Sequence, residues 1–87
     1  GSVMKTIEIT YDLGDHVWVM NSNQARKCRV KLVEIIRRLN TADAPENVVY
    51  YTVVSVREGN NDNREYLEAK FNACRVYPTK EALLATL

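Results

Sequence analysis

Glycine, proline, cysteine and histidine are all scarce in this chain. Its 87 residues hold three glycines, two prolines, two cysteines and one histidine. The glycines are scattered, so none of them builds a loop that cradles phosphate. Gly1 and Ser2 look vector-derived, and Met4 is the expected native start. Residues 1–3 are therefore expected to be a disordered remnant, with residues 4–87 forming a single domain.

The two cysteines, Cys28 and Cys74, lie far apart and make no C-x-x-C pair. A zinc site needs about four ligands at recognisable spacing, and His16 alone cannot complete one. No metal and no cofactor is expected. The plain expectation for both thiols is a reduced, half-buried side chain used as a small apolar residue. A disulfide would need an oxidising compartment, of which there is no sign.

Long hydrophobic runs are missing too. The longest, Val48 to Val54, is interrupted by Thr52 and is far too short to span a bilayer. No early segment has the apolar stretch of a secretory signal. The expectation is a cytoplasmic chain with no membrane partner. A charge excess is also absent, since the net charge is +1. That argues against a general polyanion binder and leaves room only for a local patch.

Catalytic constellations are equally thin. Asp15 could orient His16, with Ser22 or Ser55 as a formal nucleophile. A triad needs all three groups within hydrogen-bond reach and an oxyanion site. No serine or cysteine is flanked by glycine. Glu65 and Glu68 are a nominal carboxylate pair, but on a strand they would point to opposite faces. The sequence is not that of a recognisable enzyme.

What is present is β pattern. Lys5 to Tyr11 alternates, with Ile7, Ile9 and Tyr11 on one side. Asp12-Leu13-Gly14-Asp15 is turn chemistry, and Gly14 opens directly into His16–Met20, a short strand apolar on both faces. This strand holds the only tryptophan, and the rest of the chain can be read as pairing with it or covering it. Asn21-Ser22-Asn23-Gln24 reads as a polar loop. Val48 to Arg57 is the clearest strand, Gly59 to Asn63 a loop tip, and Arg64 to Phe71 a returning strand. Asn40 to Asn47, with Pro45, suits a long hairpin connection. Thr79 is a good N-cap for a short amphipathic helix carrying Ala82, Leu83, Leu84 and Leu87, with Tyr77 stapled to Leu83.

Residues 25–39 admit two readings. Cys28, Leu32, Ile35, Ile36 and Leu39 form a helical stripe. Cys28, Val30 and Leu32 also alternate with Lys27, Arg29 and Lys31 as in a strand. Val33 and Ile35 then continue in the opposite parity, as a bulge would require.

Two stretches resemble a known family. Tyr11-Asp12-Leu13-Gly14-Asp15-His16-Val17-Trp18-Val19-Met20 is similar to the opening of small uncharacterised proteins of gut Bacteroidetes and their mobile elements. Those begin with a tyrosine, a Gly-Asp turn and Val-Trp-Val. Arg75-Val76-Tyr77-Pro78-Thr79-Lys80-Glu81-Ala82-Leu83-Leu84 resembles their ending. More loosely, the Gly-Asp turn before Val17-Trp18-Val19 looks like the start of the first long strand in SH3-like barrels. The resemblance implies a small barrel of about five antiparallel strands with a C-terminal helix, and no enzyme activity. It favours strand for residues 26–39, since the middle of these proteins is a long hairpin. The chain departs from the family in its basic run, its Pro45 loop, and Arg75-Val76-Tyr77-Pro78. The fold expected is thus mostly β and SH3-like. The alternative is α+β with a helix at residues 24–39 packed on a sheet.

Two surfaces then stand out. With Lys27, Arg29 and Lys31 alternating outward, three cations line one face over roughly 14 Å. Arg37 and Arg38 would extend it, and Tyr50 or Tyr51 would supply a stacking surface for nucleic acid. The plainer alternative is a solvated face paired with Glu8, Glu65 or Glu68. Trp18 and Met20 form the second surface. They are core if the C-terminal helix covers them and a partner-binding patch if it does not. The expected function is a non-enzymatic module that binds another protein and is encoded on a phage or mobile element. The alternative is a nucleic-acid-binding module using Lys27–Lys31. A monomer or weak homodimer joined through a strand edge fits either.

Overall fold

The structure, a computed structural model, describes residues 9–87. Four antiparallel strands form one open sheet in the order β1 (His16–Asn21), β2 (Gln24–Leu39), β3 (Pro45–Ser55) and β4 (Glu68–Asn72). A 3-10 turn (Ala73–Arg75) and the helix α1 (Lys80–Leu84) follow. The domain is mostly β, as the alternation suggested, with four strands among the described residues rather than about five. The first part of the expected Lys5–Tyr11 strand lies outside the described residues. Ile9 to Tyr11 are not in a strand.

Residues 24–39 are strand throughout, and the helix alternative does not hold. The local reason is the turn before them. Ser22 and Asn23 both adopt positive φ, 50° and 63°, and Asn21 pairs with Gln24. This is a two-residue hairpin turn of the type that matches the twist of the flanking strands. It sends the chain straight back along β1, and β-branched Val30, Val33, Ile35 and Ile36 continue the strand. The expected change of parity is present. Val30 pairs with Val53 and Leu32 with the adjacent Thr52, leaving Lys31 as a bulge.

The β2–β3 connection is tighter than its composition suggests. Leu39 already pairs with Pro45, so Pro45, Glu46 and Asn47 belong to β3. Asn40 ties the tip together. Its Oδ1 accepts from Ala42 N and Ala44 N at 2.9 and 3.1 Å, and Asp43 takes positive φ. Pro45 is tolerated because it opens a strand whose outer side is unpaired there. The returning strand is shorter than its pattern implied. Arg64 to Leu67 stay irregular, held by Arg64 bonding to Asp62 and Glu58.

One face of the sheet carries the core. Val17, Val19, Cys28, Val30, Tyr51 and Val53 are buried there, covered in part by Val76. Gly14, at φ 86°, lets the chain turn into β1 while its N–H donates to Val30 O at 2.8 Å. After the 3-10 turn, Tyr77 pairs with Trp18 in an isolated bridge, with N–H···O distances of 2.7 and 2.9 Å. Thr79 caps α1 as expected, its Oγ1 accepting from Ala82 N at 3.1 Å. The helix buries Leu83 alone; Leu84 and Leu87 are exposed.

Candidate functional site

The ladder sorts the basic residues. Lys27 pairs with Trp18 and Arg29 with His16, on the face opposite the core. Lys31 is the bulged residue, and its Nζ reaches Glu68 Oε1 at 2.7 Å. That hydrogen bond and charge hold the Glu68 carboxyl below its ordinary range and raise the Lys31 amine. One of the three expected cations is therefore neutralised by Glu68. Among the described residues, Lys27 and Arg29 have no carboxylate partner within ion-pair distance.

Arg37 and Arg38 divide between the faces. Arg38 shares the outer face, bonding Glu46 at 3.2 Å and the Tyr50 hydroxyl at 3.5 Å. Arg37 lies on the core side of the sheet and donates to Asn47 Oδ1 at 3.3 Å. Tyr51 cannot stack on a ligand. It is fully buried in the core, where its hydroxyl accepts from Thr10 N and Tyr11 N. Of the two tyrosines Tyr50 is the one on the outer face, with Lys70 Nζ 5.3 Å from its ring centre. The side chain of Lys70 also lies 3.8 Å from Glu34. The outer face thus holds Trp18, Lys27, Arg29, Lys70, Tyr50 and Arg38.

Trp18 and Met20 are half-buried, between the two expected outcomes. Lys80 of α1 sits over the Trp18 ring at 5.9 Å. Met20 lines a small cleft with Phe71, Tyr77, Leu83 and Leu87.

A third surface escaped the sequence reading. β1 pairs with β2 only as far as Arg29, and β4 pairs with β3 only from Tyr50 onward. Beyond those points the β2–β3 hairpin runs on as a two-stranded arm, from Ile35 to Leu39 and back from Pro45 to Val49, while the outer edge of β2 is free from Leu32 onward. Ile35, Ile36 and Leu39 are exposed on it, Leu39 at 63%, and Leu32 is exposed at its root. The available signal was length. A strand of 16 residues cannot be matched along its outer edge by a partner of six.

Arg26 is the other unexpected feature. It is buried on the core side, only 6% exposed, and its Nη2 donates to Glu65 O at 2.8 Å. This ties the 58–67 loop to β2. Neither cysteine is the half-buried residue expected: Cys28 is buried beside Arg26 and Cys74 is exposed, both as free thiols. Burial pushes the Cys28 thiol up to about 11, against the opposing charges of Arg26 and Arg64.

The groups considered for catalysis are apart. His16 and Ser22 stand at opposite ends of β1, and Ser55 Oγ accepts from Leu67 N at 2.9 Å. Among the described residues, no group of three or more His, Cys, Asp or Glu side chains could hold a metal. No helix in them is long and apolar enough to cross a membrane.

No family model matches the chain, and comparison with curated proteins and with solved structures returns no match. The surfaces described above are therefore what bears on function.

Proposed function

We propose that this chain is a non-enzymatic, cytoplasmic binding module whose main contact surface is the β2–β3 arm and whose partner is a protein. The arm carries this reading. A two-stranded ribbon is at best marginally stable alone in water. Here it extends past the sheet with Ile35 and Leu39 exposed on one face and Ile36 on the other, where Leu32 is exposed at its root. Apolar side chains clustered on a projecting element are the usual mark of a protein contact. Within the same proposal the fold is an SH3-like barrel of the resembled family, with the Trp18–Tyr77 bridge as its closing contact.

The test is a pair of affinity captures, with the wild-type chain and with the Ile35→Ser/Leu39→Ser variant. The expected result is a specific partner held by the first and lost by the second, with unchanged circular dichroism. A partner retained equally by both would place the contact elsewhere.

The outer face supports a second reading, in which the module binds nucleic acid. Among the described residues, Lys27 and Arg29 lie without carboxylate partners on the face that also carries Trp18 and Tyr50, cations and aromatics together as suits single strands. Phosphate contacts release counterions, so binding of a mixed oligonucleotide would weaken steeply as salt rises. Amide shifts on Lys27 and Arg29 at low salt that fade as salt rises would support this reading, and their absence at low salt would remove it.

A further inference from the structure

The arm has a free edge as well as free faces. Past Val30, whose N–H and C=O bond to Asp15 and Gly14, nothing among the described residues pairs with the outer edge of β2. Backbone groups along an edge strand turn outward at every second residue, and an unpaired row of them is a template for another strand. The opposite edge of the arm is guarded. It begins with Pro45, which has no N–H to give, and it is shorter. The β2 edge carries no proline or glycine and holds Val33, Ile35 and Ile36, which favour pairing.

We propose that the occupant of this edge is a second copy of the chain, with β2 pairing antiparallel to β2 about a twofold axis through Ile36. The sequence of the edge is self-complementary in that register and supplies the argument for the occupant. On the outer face, Glu34 stands opposite Arg38 of the second copy, Ile36 opposite its own image, and Arg38 opposite Glu34 of the second copy. On the other face, Val33 stands opposite Leu39 of the second copy, and Ile35 opposite Arg37, whose aliphatic stem can cover it. Opposite charges and apolar pairs directly across strands stabilise a sheet, and like charges oppose it. The register brings no like charges into opposition. It also leaves the two domain bodies at opposite ends, because Leu32 meets Asn40 of the second copy just where β1 begins to occupy the edge. A strand edge is a small interface by the standard of stable dimers, so the association is concentration-dependent.

The inference rests on the arm being a contact surface, and its test separates the two. Sedimentation of the full chain is expected to show the mass rising from one chain toward two over about two decades of protein concentration. Glu34→Arg or Arg38→Glu alone would set like charges opposite each other and is expected to weaken the dimer at least about tenfold. The double variant Glu34→Arg/Arg38→Glu restores opposite charges and is expected to recover it. With Cys74→Ser as background, Ile36→Cys is expected to form an interchain disulfide on mild oxidation, because its image lies about 5 Å away. Glu34→Cys, about 13 Å from its own image, is not.

A mass independent of concentration overturns the second copy as occupant. If the Ile35→Ser/Leu39→Ser variant then still loses a different protein partner, the arm remains a contact surface; if it loses none, both readings fall. A dimer indifferent to the charge variants overturns the register.

Discussion

Tyr11 and Tyr51 meet edge-on, with ring centroids 5.4 Å apart, and the Tyr51 hydroxyl accepts the Tyr11 N–H at 3.2 Å. The same hydroxyl accepts from Thr10 N at 3.1 Å. A residue buried at the centre of β3 thereby fixes the chain before β1 over the core. Tyr51→Phe keeps the ring and removes the acceptor of two backbone donors. It is expected to cost about 1–3 kcal/mol in urea unfolding. An unchanged midpoint would mean that water serves those donors equally well.

The helix acts through one side chain. Leu83 is 3% exposed, whereas Leu84 and Leu87 are not buried. Leu83→Ala is expected to cost about 2–5 kcal/mol, and Thr79→Ala, which removes the cap, about 1 kcal/mol. Thermal unfolding of the two variants would show the order. Equal effects would place the helix contribution in its backbone rather than in Leu83.

The two thiols should differ sharply. Cys74 is exposed and is expected to react with a thiol reagent in the native state, while Cys28 reacts only on unfolding. Burial raises the Cys28 thiol from its ordinary value of 9.0 to about 11. The unfolded chain therefore loses this proton first as pH rises. The stability linked to Cys28 is complete below about pH 9 and is lost between about 9 and 11. Urea unfolding of the wild type and of Cys28→Ala at pH 8 and pH 10.5 would isolate it. A difference between them that does not change with pH would contradict the shift.

Arg26 offers a contrast between fold and loop. Its bond to Glu65 O is the tie between β2 and the 58–67 loop. Arg26→Met keeps much of the packing and removes a buried charge that has no carboxylate partner among the described residues, which limits its cost. The expected outcome is little change in Tm but faster proteolysis at Gly59–Asn63. Protection of that loop equal to the wild type would show that the Asp62–Arg64–Glu58 cluster holds it alone.

Much of the sheet was legible because strand alternation survives in the residue pattern. Cys28 and Val30, then Val33 and Ile35, announce one core-side parity and then the other, and the bulge at Lys31 is the physical cause. Ser22-Asn23 was harder to read. A two-residue turn needs positive φ at both positions, which Asn tolerates well and Ser less readily, and no glycine marks it. Tyr50 and Tyr51 are adjacent and chemically alike, so only the register says which is core. The arm was illegible for a different reason: residue pattern shows that a strand is apolar, but not whether a neighbour reaches far enough to cover it.

Amide hydrogen exchange across the arm, at low and at high protein concentration, tests the central claim most directly. If β2 edges pair, the outward N–H groups between Leu32 and Leu39 slow as concentration rises, while Pro45 to Val49 gain no such protection. Exchange along β2 that is the same at both concentrations would contradict a self-pairing edge.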